Sequence, residues 1–193
     1  GLANCRETLR LAANACGLQA SEILPASTGV IGAQMKMDLW QKAVPELAAR
    51  LGTASVEDFA NAIRTTDAFP KFSGATIETA GGTVTLAGMA KGAGMICPNM
   101  ATMICVVLCD AAVEHSAWQQ MFRHAVDRTF NRVTVDGDTS TNDTVYGLAN
   151  GASGVCPDER DLPVLLEALE KILGELAYML VQEAGQYTES AGV

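Results

Sequence analysis

Apolar positions recur at helical spacing from the start of the chain. Leu9, Ala12, Ala13 and Cys16 predict a helix over residues 4–16, and Gly17 is suited to end it. Residues 23–26 are a short apolar stretch leading into Ser27-Thr28-Gly29-Val30-Ile31-Gly32. Residues 37–49 are amphipathic, with Pro45 expected to interrupt the helix or open a second piece. Ser55-Val56-Glu57-Asp58 resembles a capping box that starts a helix running to about Arg64. The period then changes. Residues 76–80 and 83–87 read as two strands joined at Gly81-Gly82, a two-residue hairpin signal. Residues 103–108 form a continuous apolar run rich in β-branched side chains, which predicts a fully buried strand.

Further along, Ser116 is expected to cap a helix to about Phe130, and residues 133–135 to form a short strand. A polar loop, residues 136–143, follows. Asp161, with Pro163 close behind, starts a long helix to about Glu183. Helices flanking β-segments predict an α/β or α+β chain with layered packing. Length agrees with one domain over residues 1–193 or a central fragment of a longer chain, since 193 residues suit one sizeable domain or two small ones.

Composition narrows the function classes. Apolar residues make up 49% and charged residues 18%, so the chain can bury a large core and is not intrinsically disordered. The formal net charge is −9, and the 13 Lys and Arg form no basic stripe, which argues against nucleic acid as a partner. No apolar run reaches the ~20 residues of a membrane span. The first residues lack the basic and apolar regions of a signal peptide, and no initiator Met is present, as in a processed product or a portion of a longer chain. Six cysteines at 5, 16, 97, 105, 109 and 156 read as free thiols, several of them buried, in a reducing cytoplasm. Cys105 and Cys109 share one strand face, but no second Cys/His pair stands at ligand spacing, so no metal is expected. His115 and His124 are expected on solvent-facing helix surfaces.

Three loops concentrate Gly, Thr and Asp: residues 27–32, 90–103 and 136–143. Lys91-Gly92-Ala93-Gly94 lacks the residue order of a P-loop, and Asp136-Gly137-Asp138 lacks the closing Glu of an EF-hand. Thr102 stands out by its setting. It follows Ala101 and a Gly-rich turn and opens the buried run. A Thr hydroxyl is a poor nucleophile until a base activates it, and the amine of an N-terminal Thr can be that base. With a reference pKa of ~7.7–8.0, much of that amine is neutral at neutral pH.

The segment from Lys91 to Met103 resembles the self-cleavage region of the ornithine acetyltransferase family, arginine-biosynthesis enzymes that make N-acetylglutamate. Residues 27–32, Arg64-Thr65-Thr66-Asp67 with Phe69-Pro70-Lys71, residues 125–132 and residues 135–144 resemble that family too, in its order. The resemblance implies a layered helix–sheet sandwich of the self-cleaving Thr-nucleophile type. It implies cleavage between Ala101 and Thr102 into an alpha and a beta segment, associated as a heterotetramer. It implies Thr102 as nucleophile, carrying acetyl from N-acetylornithine to glutamate. Thr28 and Gly29 match the oxyanion hole, as a Gly-flanked hydroxyl and backbone amide would suit. Substrate contacts match Thr102, Lys91 and the Thr65-Thr66 pair, Thr65 being favoured. No cofactor is required, with acetyl-CoA as an alternative donor, and the enzyme is expected in the cytoplasm.

The chain also departs from the family's pattern. Where the family carries a substrate-binding Glu after the long helix, residues 182–188 read Gln-Glu-Ala-Gly-Gln-Tyr-Thr, with Glu183 as a displaced candidate. Two other functions use the same residues. One is a related N-terminal-nucleophile amidohydrolase or aminopeptidase, in which water replaces glutamate. The other is a truncated, inactive remnant of the family.

Overall fold

A computed structural model describes residues 1–30, 32–93, 96–97, 100–101, 103–134 and 142–190; for 96–97, 100–101 and 184–190 it describes the backbone alone. The chain divides into two units, Gly1–Ser55 and Val56–Val193.

The first unit packs α1 (Leu2–Cys16) against α2 (Met37–Ala49), with a 3₁₀ turn at Ala20–Glu22 between them. Gly17 ends α1 at φ 70°, the left-handed conformation that glycine adopts without a Cβ clash. Pro45 does not divide α2, contrary to expectation. It lies on the exposed side of the helix, next to the buried Val44, so helix packing carries the chain past the missing N–H.

In the second unit, α3 (Val56–Ala62) precedes a hairpin of β1 (Lys71–Thr79) and β2 (Gly82–Lys91). Helix α3 stops short of Arg64, whose guanidinium instead donates to the Asp67 and Ala68 carbonyls. The hairpin is longer than the pattern predicts, and its turn is Ala80-Gly81. Gly82 belongs to the strand, opposite Thr79, at φ 131°. A short pair follows, β3 (Ile96–Cys97) with β4 (Met100–Ala101), antiparallel, Ile96 opposite Ala101. Then come β5 (Ile104–Cys109), α4 (His115–Arg128), β6 (Thr144–Ala149) and α5 (Leu162–Ser190). The main sheet runs β1-β2-β5-β6, antiparallel except for the parallel β5–β6 pair.

One face of this sheet carries the core. Leu165, Leu169, Ile172, Leu173, Leu176 and Leu180 of α5 form a fully buried stripe at helical spacing over β1 and β2. Gly88 makes that approach close. A Cβ there would lie 2.6 Å from the Ile172 side chain and 2.8 Å from that of Leu176. Trp118 of α4 donates its indole N–H to the Gly147 carbonyl of β6 at 3.0 Å. A Cβ on Gly147 would collide with the Phe122 ring.

Other expectations are corrected here. Strand β5 is not buried on both faces: Cys105, Val107 and Cys109 point into the core, whereas Leu108 is 40% exposed. The cap of α4 is Glu114, not Ser116; its carboxylate accepts the Ala117 N–H and the Ser116 hydroxyl. These bonds hold the Glu114 carboxyl down at about 2. Val133 and Thr134 are not in a strand, and β6 lies further along. Both histidines are solvent-facing and Cys105 and Cys109 are buried free thiols, as expected. Burial raises the pKa of each thiol. Among the described residues no helix is long and apolar enough to cross a membrane.

Candidate functional site

The sheet delivers several charged side chains to one end of β1 and β2. Lys71 opens β1 in the strand's inward phase, with Ser73, Ala75 and Ile77 on the same face. That face meets α5, whose last described side chain, Glu183, is fully buried. Lys71 Nζ lies 2.9 Å from Glu183 Oε2 and 2.8 Å from Asp67 Oδ1. It also stands 4.8 Å from the centre of the Phe69 ring, within cation–π range. Both oxygens of Glu183 are engaged, since Oε1 accepts the Ala68 N–H. Glu183 thus serves as an internal counter-ion for the Thr65–Lys71 loop.

Asp67 is the most heavily bonded group of the cluster. Besides Lys71, its Oδ1 accepts the Gly92 N–H at 2.7 Å, and its Oδ2 accepts the Thr65 N–H at 3.1 Å. Burial alone would push the Asp67 carboxyl up, but the Lys71, Gly92 and Thr65 donors outweigh it and hold the carboxyl below its usual range.

Lys91 ends β2 opposite Ile104 of β5, on the sheet face away from α5. It is only 1% exposed, so it is no solvated surface lysine. Burial lowers its pKa, and the carboxylates of Asp67 and Asp143 pull the other way. Asp143 stands just before β6. Its Oδ1 accepts the Met103 N–H at 3.0 Å, and the Met103 carbonyl accepts the Thr144 N–H at 3.1 Å. The residue after Thr102 is therefore pinned on both its peptide groups. Asp143 Oδ2 is buried with no hydrogen-bond partner among the described residues. Burial raises the Asp143 carboxyl, more than the Met103 N–H and Lys91 lower it.

The structure brings the Thr65 loop and Lys91 together through Asp67; Thr65 and Thr66 are both exposed. Thr102 lies outside the described residues, between Ala101 at the end of β4 and Met103. Thr28 and Gly29 lie in the first unit, Thr28 half-buried and Gly29 exposed, with open space where a Gly29 Cβ would project. Among the described residues no group of three His, Cys, Asp or Glu is placed to hold a metal. Sequence reasoning assigned no role to Asp67, Lys71 or Asp143. For Lys71 a signal existed: extending the alternation of Ala75 and Ile77 backward puts a lysine on a core face, which demands a buried anion.

Comparison with known proteins bears on this geometry. A model of the ArgJ family matches residues 1–191. The arginine biosynthesis bifunctional protein ArgJ of Nitratidesulfovibrio vulgaris is 67% identical over 183 residues, which cover 95% of this chain and 47% of that protein. The chain belongs to the ArgJ family. The proteins of the same name from Geobacter sulfurreducens and Symbiobacterium thermophilum are 44% and 45% identical, each over 95% of this chain, and over 47% and 46% of their own lengths. The chain thus spans about half the length of the curated relatives it matches. The ArgJ match runs through both units, so Thr28 and Lys91 fall within one family region.

Proposed function

We propose that this chain is part of an acetyltransferase that moves acetyl from N-acetylornithine to glutamate in arginine biosynthesis, with Thr102 as nucleophile. The observation that carries this reading is the ArgJ family match spanning every motif, including the Lys91–Met103 segment. The fold then belongs to the self-cleaving Thr-nucleophile sandwiches, a reading supported by the helix layer packed on a mixed sheet.

Processing comes first. The Thr102 hydroxyl attacks the Ala101 carbonyl carbon, the peptide nitrogen leaves as the free Thr102 amine, and water hydrolyses the resulting ester. That amine is the base the hydroxyl needs for transfer. In the first half-reaction the hydroxyl takes acetyl from N-acetylornithine and ornithine leaves. In the second, the glutamate amine takes acetyl from the threonyl ester and restores the hydroxyl. The Thr28 hydroxyl and the Gly29 N–H hold the oxyanion in both halves. Lys91 and the Thr65-Thr66 loop receive the amino-acid portion of each substrate. Lys91 is buried next to the segment that leads to Ala101.

The alpha and beta segments stay associated, as a heterotetramer, in the cytoplasm. No cofactor is needed; acetyl-CoA serves as an alternative donor. The test is intact mass together with transfer assays on a chain carrying the relatives' full length. Two segments divided at Ala101–Thr102, an acetyl adduct on the Thr102 segment and glutamate-dependent release of ornithine are expected. Release that ignores glutamate would identify a hydrolase instead.

Thr28→Ala in the same chain is expected to lower turnover by ~10²–10³ with the fold intact, the usual loss for one oxyanion donor. Steady-state kinetics beside circular dichroism check this. Unchanged turnover would make Thr28 a turn residue only.

A further inference from the structure

A single carboxylate, that of Asp67, touches both places where substrate contact is expected. Its Oδ2 holds the N–H of Thr65, and its Oδ1 holds the N–H of Gly92, the residue directly after Lys91. At Gly92 the chain has left the sheet: the β2–β5 register ends at Lys91 opposite Ile104. Gly92 adopts φ 155°, and the Asp67 carboxylate, not a strand partner, takes its N–H. Asp67 is 4% exposed, and Lys71 beside it is fully buried. Glu183 also supplies a counter-charge to Lys71, and the Asp67 carboxylate links its own loop, at Thr65, to Gly92 at the end of β2, 25 residues further on. The geometry points to Asp67 as a positioning residue: it locks the Thr65-Thr66 loop against the Lys91 end of β2, so that both contact one amino-acid substrate. Lys71 keeps that lock charged inside the protein.

This inference rests on the reading of Thr65 and Lys91 as substrate contacts, and its test separates the two. Asp67→Ala removes the charge and both acceptors, the Oδ1 that holds the Gly92 N–H included. In a chain carrying the relatives' full length, the Gly92 amide should exchange its hydrogen at least ~10-fold faster, while amides of β5 keep their protection. KM for both N-acetylornithine and glutamate should rise ~10-fold or more, with kcat within about threefold. Loss of general packing would instead lower kcat and deprotect β5 as well, which overturns the proposal. So does an unchanged Gly92 exchange rate, or an unchanged KM in a folded variant. Should the wild-type protein transfer no acetyl group, the functional reading falls, and Gly92 exchange still decides whether the lock exists. Should Asp67→Ala not fold, the wild-type protein decides: its Gly92 amide is expected to be protected, and exchange at the rate of an unstructured peptide overturns the proposal.

Discussion

Thr102→Ala, in a chain carrying the full length of its relatives, is expected to remain a single unbroken polypeptide and to lose acetyl transfer entirely. The effect is all-or-none because one oxygen performs both tasks. Without the hydroxyl no ester forms at Ala101, so no Thr102 amine is released. Without the amine no base remains at the nucleophile, and without the oxygen no acetyl group can be carried. Ala101 pairs with Ile96 at the end of β4, and Met103 is held through Asp143 and Thr144. Thr102→Ser keeps an attacking oxygen and should still cleave. Mass spectrometry of both variants after prolonged incubation reads the outcome. Cleavage of the Ala variant at the same bond would assign processing to another group.

The elements with strong periodicity were legible in the sequence, and those whose signal is weak locally were not. Helix α5 reads directly because its buried leucines and isoleucine recur at 3.6-residue spacing. The hairpin reads from its glycines, but its turn is displaced by one residue because Gly82 adopts a left-handed φ within the strand. Strand β6 was missed. It lies at the edge of the sheet, carries Gly147 where Phe122 and Trp118 press in, and shows no clean alternation. Val133 and Thr134, β-branched and nearby, drew the strand assignment toward themselves.

The candidate site divides the same way. Thr65 and Lys91 stand in motifs and could be seen one at a time, whereas Asp67, in the same motif as Thr65, drew no role. Their connection could not be seen. Glu183 meets Lys71 across 112 residues of chain, and Gly92 meets Asp67 across 25. Placing the start of the first strand at residue 76 also hid Lys71, because its inward phase appears only when β1 is extended back to its true start. A buried lysine is inexpensive only where anions already wait for it. Those anions came from a loop and from the far end of the last helix.

That dependence sets the second large effect. Lys71→Met is expected to destabilise the protein by about 3–5 kcal/mol at neutral pH, because removing one partner leaves buried carboxylates uncompensated. Asp67 has no exposed side-chain surface and would keep only its Gly92 and Thr65 donors. With the lysine gone, its hydrogen bond and charge no longer oppose burial, already the largest influence on the Asp67 carboxyl, and the carboxyl rises. The pH dependence follows with a definite sign. In the wild type the folded-state carboxyl is held low, so its contribution is present above the unfolded-state value of about 4 and is lost as pH falls through the lower folded value. In Lys71→Met the folded-state value is raised, so the carboxyl destabilises the fold at neutral pH and is relieved by protonation. The gap between wild type and variant should therefore be widest near pH 7 and narrow steadily on acidification. Denaturant unfolding at several pH values measures it. A gap that is constant with pH would mean that the loss comes from the packing of the lysine stem and its Phe69 contact, and not from the charge it neutralises.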